Sequence, residues 1–284
     1  MSEQQIMVDN RARLVSAVLA TGRWPALEQA RKPHAAHQHA KQTRAFTEPF
    51  ADHKAVALAD AFLVDHEDPT PLFAAALACE WPTFTVAEPL PAGLNLDPWP
   101  EALMDFYTDT AIAAFFWADH EAVWQQAEAE LRQIFRGRDL AGFVGRLRGE
   151  PLSQPLYVCP NLAVPALQTV AVANAGGIYR LLPPPQAWGE SPPWPYAEGE
   201  DWVLAECCYR LSELLLPLPE PARQADLAHA ATVLFLEQAL DEPSAQAYLV
   251  RTKIETKRPD LPAAVNQLRA WLADPAGQTL AEVF

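Results

Sequence analysis

The chain is poor in basic residues, with 21 lysines and arginines against 36 aspartates and glutamates, which gives a formal net charge of −15. Surfaces that bind nucleic-acid phosphates or anionic lipid headgroups depend on lysine and arginine side chains. The composition therefore predicts a protein that binds neither nucleic acid nor a membrane surface.

Long apolar runs are missing too. No stretch approaches the roughly 20 consecutive apolar residues that cross a bilayer as a helix. The N-terminal segment lacks the basic start, continuous apolar run and cleavage site of a secretory signal. We therefore predict a cytoplasmic protein. Because 50% of the residues are apolar, the chain can bury a sizeable core in one large domain or two modest ones.

The 4 cysteines have no C-x-x-C spacing. That spacing is typical of zinc ribbons and redox motifs, so the pattern predicts buried free thiols in a reducing compartment. The signatures G-x-G-x-x-G, G-x-x-x-x-G-K-[ST] and G-x-S-x-G are absent as well. This weakens dinucleotide-binding, NTP-binding and esterase-type interpretations.

The remaining sequence divides into two consecutive parts. Residues 1–150 are mainly helical by apolar periodicity. Residues 151–284 begin with short β-branched segments at 155–160, 168–174 and 178–182, which predict a small antiparallel sheet. A central, largely apolar helix over 201–216 and a helical C-terminal part follow. We predict an α+β, mainly α chain, with the sheet packed beside the central helix in one compact unit.

Residues 111–135 carry an aromatic stripe and are predicted to form one long helix. Aromatic residues at helical spacing are typical of a core, and a ligand pocket is the alternative. The stripe consists of Phe115, Phe116, Trp117, Trp124 and Phe135.

Several segments between residues 50 and 216 together carry a family resemblance. They read FADHKAVALADAF, LMDFYTDTAIAAFFWADHEAVW, PLYVCPN, TVAVANAGGIYRLL and DWVLAECCYRLSELL. With them, the chain resembles a bacterial zincin-like family, related to metallopeptidases that carry H-E-x-x-H on a helix. The resemblance implies a zincin-like fold around the 201–216 helix.

The metallopeptidase motif is degenerate here. In H-E-x-x-H, two histidines on one helix face bind zinc, and the glutamate polarises the metal-bound water. Ala205 and Tyr209 stand at the histidine positions, and Glu206 alone remains. His229 or Glu237 would follow at the third-ligand position. Since alanine offers no ligand and a tyrosine oxygen replaces imidazole poorly, we predict that the zinc site is lost and that no cofactor is bound. Without the resemblance, Glu206 is an ordinary helical glutamate.

A second histidine cluster, His34, His37 and His39, reads H-x-x-H-x-H. Flanking Pro33 and lysines favour an exposed polar segment, and adventitious transition-metal binding is the alternative.

The leading functional hypothesis is a zincin-like protein that has lost peptidase activity and serves as a binding or structural module for an unknown protein or peptide partner. Vestigial Glu206 and the candidate binding residues Tyr209, His229 and Glu237 would line its surface. One alternative is a metal-dependent hydrolase with a non-standard site built from the same four residues. Another is a helical interaction scaffold, unrelated to zincins, that docks a partner through the tryptophan- and proline-rich loop at 183–195.

Overall fold

The computed structural model describes residues 4–163, 170–185, 195–216, 218–274, 277 and 279–284. These residues are mainly helical and include a small four-stranded mixed sheet, which confirms the predicted architecture in outline. The α-helices are α1 Asn10–Thr21, α2 Trp24–Arg31, α3 Gln38–Thr47, α4 Lys54–Asp65, α5 Thr70–Leu77, α6 Trp99–Thr110, α7 Glu121–Ile134, α8 Leu140–Arg148, α9 Glu200–Leu215, α10 Pro221–Ala239, α11 Glu242–Glu255, α12 Leu261–Ala273 and α13 Leu280–Val283. The strands are β1 Gln4–Ile6, β2 Leu156–Pro160, β3 Val170–Asn174 and β4 Gly177–Leu182.

The sheet has the strand order β1-β2-β4-β3. Strands β3 and β4 form the predicted antiparallel hairpin, with Val170 opposite Leu181 and Asn174 opposite Gly177. Residues 168 and 169 of the predicted strand lie outside the described residues. The expectation of a purely antiparallel sheet was wrong, because the sheet is mixed. Its short edge strand β1 has the sequence QQI, which is too short and too polar to show strand periodicity.

The predicted long helix over 111–135 is interrupted. Ala111 ends α6 in the left-handed region at φ 45°, the segment Ala113–Trp117 is a π-helix, and Ala118–His120 is a 3₁₀ turn that leads into α7. The altered winding turns Phe115 outward, and this side chain is 71% exposed although the pattern predicted a core position. The other four aromatic residues of the stripe are buried.

The described residues form two compact units built from interleaved segments. The helical unit contains Met1–Gln5, Gln133–Leu156 and Gly199–Phe284, and the sheet unit contains Ile6–Arg132 and Tyr157–Glu198. The units therefore do not coincide with the consecutive stretches 1–150 and 151–284. Within the described residues, no helix has both the length and the apolar character to cross a membrane.

Helix α1 is the centre of the sheet unit. It contacts α3, α4 and α5, and α5 in turn lies against β3. Every residue of α1 from Ala12 to Thr21 is buried. The Asp9 carboxylate caps this helix by accepting hydrogen bonds from the backbone N–H groups of Arg11 and Ala12. Burial of α1 on all sides makes it the element on which the neighbouring helices pack.

Helix α9, predicted over 201–216, is the corresponding buried element of the helical unit. It packs along α10 and also contacts α8, and α10 in turn contacts α11 and α12. Cys207 and Cys208 point into this core and are 0% exposed. All four cysteines are buried free thiols, as predicted. Since α9 and the hairpin belong to different units, the position of the sheet beside α9 stays a prediction.

Replacing Asp9 by alanine should destabilise the protein. The carboxylate is 4% exposed and also accepts a 2.6 Å hydrogen bond from Arg11 Nη2. Loss of the cap and of this charged partner should lower the free energy of unfolding by about 2–3 kcal/mol in urea denaturation. Asp9→Asn keeps a capping oxygen without the charge, so it should lose less. Equal stability of all three proteins would contradict this role for Asp9.

Candidate functional site

The two positions on α9 that correspond to the histidines of H-E-x-x-H face different surroundings. Ala205 is 3% exposed and belongs to the core of the helical unit. Tyr209, one turn later, is only partly buried, and its ring stacks on His229 of α10 with 4.4 Å between centroids. The structure therefore brings together two of the predicted site residues, Tyr209 and His229.

A third aromatic side chain, which the sequence analysis did not identify, completes this cluster. The hydroxyl of Tyr248 on α11 lies 2.8 Å from His229 Nδ1. The hydroxyl of Tyr209 donates a 2.6 Å hydrogen bond to Glu213 Oε1. The cluster on α9, α10 and α11, which we call the Tyr-His-Tyr cluster, thus consists of the partly buried Tyr209 and the buried His229 and Tyr248. Tyr248 gave no sequence signal, because it lies within an ordinary helical pattern.

Charged residues surround the Tyr-His-Tyr cluster and are paired with one another. Arg210 Nη1 donates to Glu213 Oε2 at 2.9 Å, and Arg258 Nη1 donates to Asp226 Oδ1 at 2.7 Å. Glu206 is 26% exposed, and its carboxylate lies 3.9 Å from Arg210 Nε on the same helix. Two of these contacts therefore lie within α9, and the third joins the segment after α11 to α10.

The electrostatics of the cluster keep its members neutral. Burial, together with the positive charge of Arg258, lowers the pKa of His229 to about 4. Burial raises the pKa of both Tyr209 and Tyr248 above the usual phenol range. A general acid or base works best when its pKa lies near the working pH. At neutral pH the cluster is thus suited to hydrogen bonding and stacking, and poorly suited to proton transfer.

Glu237 lies apart from this cluster. Its carboxylate accepts a 2.6 Å hydrogen bond from Arg269 Nη2 of α12. It follows His229 by eight residues on α10, which corresponds to about 12 Å along a helix axis. One metal ion cannot bind both side chains at that separation. Among the described residues, no group of three or more His, Cys, Asp or Glu side chains is placed to hold a metal ion.

The histidine cluster near residue 37 is also dispersed by the structure. His37 caps α3 by accepting from the His39 backbone N–H, and His34 Nδ1 lies 2.8 Å from the Lys32 carbonyl. The interpretation of an exposed polar segment was wrong for His39, which is 2% exposed. Helical periodicity explains this burial, because His39, Ala40, Thr43 and Thr47 are the buried residues of α3.

A cavity of about 480 Å³ opens within the helical unit between α8 and the last turn of α12. Its lining includes Gly142, Gly145, Arg146, Trp271 and Leu272. This volume falls within the range of small-molecule sites. The cavity could not be predicted from the sequence, because two glycines three residues apart on α8 are a weak signal and its other wall comes from α12, far along the chain.

Glycine shapes the floor of this cavity. A Cβ atom at Gly145 would lie 3.2 Å from the Glu150 carbonyl oxygen and 3.3 Å from Pro151 Cα. Gly149 ends α8 at φ 78°, in the left-handed region that glycine adopts without strain. The two residues together let the chain after α8 fold back closely over the helix.

Comparison of the chain with protein-family models, with curated proteins and with solved structures found no match. The zincin-like ancestry therefore stays a prediction.

The neutral state of His229 predicts a specific pH dependence. Its pKa is about 4 in the folded protein, compared with 6.5 for an exposed histidine. As the pH falls below 6.5, the unfolded chain binds a proton first, so stability is lost between these two values. Relative to His229→Phe, which keeps the stacking on Tyr209, the native protein should lose about 2 kcal/mol more stability from pH 7 to pH 5.

Urea denaturation at the two pH values measures this difference. Tyr248→Phe is the matched control, because it removes the hydrogen bond and keeps the imidazole. That variant should retain the pH dependence of the native protein. A stability difference between native protein and His229→Phe that stays constant from pH 7 to pH 5 would contradict a buried neutral histidine.

Proposed function

We propose that the chain is a non-catalytic binding module, and that the cavity between α8 and α12 is its ligand site. The ligand class that fits is a small organic acid with a flat apolar body. The observation that carries this proposal is the combination of the cavity volume, about 480 Å³, with a tryptophan in its wall and an arginine at its rim.

The wall of the cavity favours a flat apolar group. Trp271 and Leu272 contribute apolar surface, and the glycines opposite them leave open space. Ligand sites of this size are mostly apolar, with a small number of polar groups that orient the ligand. Stacking on an indole ring would add to the binding energy.

Arg146 supplies the orienting charge. Its Nη2 donates a 3.0 Å hydrogen bond to the neutral side chain of Gln238. The cavity carboxylates are engaged elsewhere: Glu150 pairs with Arg148, and Asp139 caps α8 through the Gly142 N–H. Among the described residues Arg146 forms no ion pair, so its charge is available to a ligand carboxylate. This contrast favours an anionic ligand over a cationic one.

The geometry around α9 favours binding over catalysis. Of the four residues in the hydrolase hypothesis, Tyr209 and His229 stack on each other, whereas Glu237 pairs with Arg269. On the basis of the zincin-like resemblance, we propose that this helix derives from a metallopeptidase motif. The residues that replace its metal-binding histidines now contribute to packing. The scaffold hypothesis depends on the loop at 183–195, of which residues 186–194 lie outside the described residues.

Metal analysis tests the loss of peptidase chemistry. Protein purified without chelators should contain zinc well below one equivalent per chain, as measured by plasma mass spectrometry. Glu206→Ala and His229→Ala should leave that metal content unchanged. Stoichiometric zinc that disappears in either variant would favour the metal-dependent hydrolase instead.

Binding of 1-anilinonaphthalene-8-sulfonate, a flat aromatic anion, tests the cavity. Arg146→Met removes the charge and keeps the aliphatic stem, so the dissociation constant should rise about tenfold, as expected for loss of one charged hydrogen bond. Leu272→Trp should fill part of the cavity and also weaken binding. Dye fluorescence gives both constants.

Arg136→Met is the matched control, because Arg136 is an exposed arginine of the same unit and does not line the cavity. It should bind the dye as the native protein does. Equal affinity in all four proteins would show that the dye binds elsewhere and would contradict the proposed site.

A further inference from the structure

An arginine is buried at the centre of the sheet unit. The Arg13 side chain on α1 is 6% exposed. Its guanidinium carbon lies 4.3 Å from the ring centre of Trp117 and 4.3 Å from that of Trp124. The indole rings therefore cover the guanidinium by cation–π contact.

The hydrogen bonds of this guanidinium are incomplete along one edge. Nη1 donates a 3.1 Å hydrogen bond to Asn10 Oδ1, and the Glu121 carboxylate is 3.9 Å from Nη1, too far for a hydrogen bond. Nε and Nη2 are buried and have no hydrogen-bond partner among the described residues. The N–H groups of Nε and Nη2 point in the same direction, in the fork geometry that binds both oxygens of a carboxylate.

A second buried donor lies beside the same tryptophan. Trp124 Nε1 donates a 2.9 Å hydrogen bond to His39 Nε2, so the neutral imidazole carries its proton on Nδ1. That Nδ1 is buried and has no partner among the described residues. Burial, together with the neighbouring His120 and Arg13, lowers the pKa of His39 to about 3. The unpaired groups around Trp124 are therefore all hydrogen-bond donors.

The backbone next to the Arg13 guanidinium and the His39 ring is irregular. The π-helix Ala113–Trp117 begins two residues after Ala111, which has a positive φ of 45°. It carries Trp117 onto the Arg13 guanidinium and Phe116 onto the His39 ring, with 5.4 Å between those ring centroids. Single π-helical turns and left-handed non-glycine residues occur frequently at functional sites.

We propose that the free edge of Arg13, with His39 Nδ1–H nearby, binds a small planar oxyanion of the carboxylate class. Buried N–H groups without acceptors are costly, above all on a buried cation, and an oxyanion would accept hydrogen bonds from them. A bare cation or a hydrogen-bond donor would gain nothing from this set of groups. The site lies in the sheet unit and is independent of the cavity proposed above.

The experiment compares sodium formate, a planar carboxylate, with sodium chloride at equal ionic strength on the full chain. Binding to the folded state should raise the melting temperature saturably, by about 2–4 °C at tenfold excess over the dissociation constant, and chloride should not. Arg13→Lys keeps the charge and loses the fork, so the formate-specific rise should disappear. Arg11→Lys, the same change on the same helix, should retain it.

A crystal structure grown in formate provides a second measurement if Arg13→Lys does not fold. It should show formate oxygens within hydrogen-bond distance of Nε and Nη2. Equal shifts with formate and chloride, or a formate-specific shift that survives Arg13→Lys, would overturn the proposal. A structure in which water or the Glu121 carboxylate occupies the edge would also overturn the proposal. In the second case, Glu121→Gln should be the variant that first responds to formate.

Discussion

The sheet unit depends on one backbone carbonyl at the end of α5. The Leu77 oxygen accepts a 3.0 Å hydrogen bond from Arg11 Nη1 and a 3.2 Å hydrogen bond from Asn174 Nδ2. A helix ends with carbonyl groups that have no partner within the helix, and burial requires partners for them. Here the partners are Arg11 of α1 and Asn174 at the end of β3. The need to satisfy this carbonyl therefore joins α5 to α1 and to the hairpin. Asp9 holds Arg11 in place for this contact.

The presence or absence of partners for buried polar groups also explains the difference between the Tyr-His-Tyr cluster and the Arg13 edge. Around α9, the tyrosine hydroxyls, His229 and most of the nearby charged groups hydrogen-bond with one another, although Arg210 Nε is buried without a hydrogen-bond partner among the described residues. On α1, by contrast, the Arg13 edge is buried without an acceptor among the described residues. Satisfied networks stabilise a fold, whereas an unsatisfied donor set indicates a missing partner. Tyr209 and His229 therefore lie in a packed cluster of the helical unit, and the buried Arg13 donors without acceptors lie in the sheet unit.

Local patterns were sufficient for much of the secondary structure. The hairpin of β3 and β4 followed from β-branched segments around an Asn-Ala-Gly-Gly turn, and α9 followed from its apolar sequence. The interruption at Ala113–Trp117 could not be predicted, because a π-helical turn has nearly the same apolar pattern as an α-helix. Strand β1 could not be predicted either, because three residues are too few to show a strand periodicity.

The sequence by itself determined the helical content, the buried thiols, the hairpin and the absence of both histidines from the metallopeptidase frame, because these depend on residue type and short-range spacing. Tertiary structure alone decided which polar groups meet. His229 of α10 stacks on Tyr209 of α9. Arg13 lies between Trp117 and Trp124, which follow it by more than one hundred positions in the chain. Such contacts join residues far apart in the sequence and depend on packing, so sequence periodicity does not predict them. The arrangement of the Arg13 edge between two tryptophans is therefore a property of the fold.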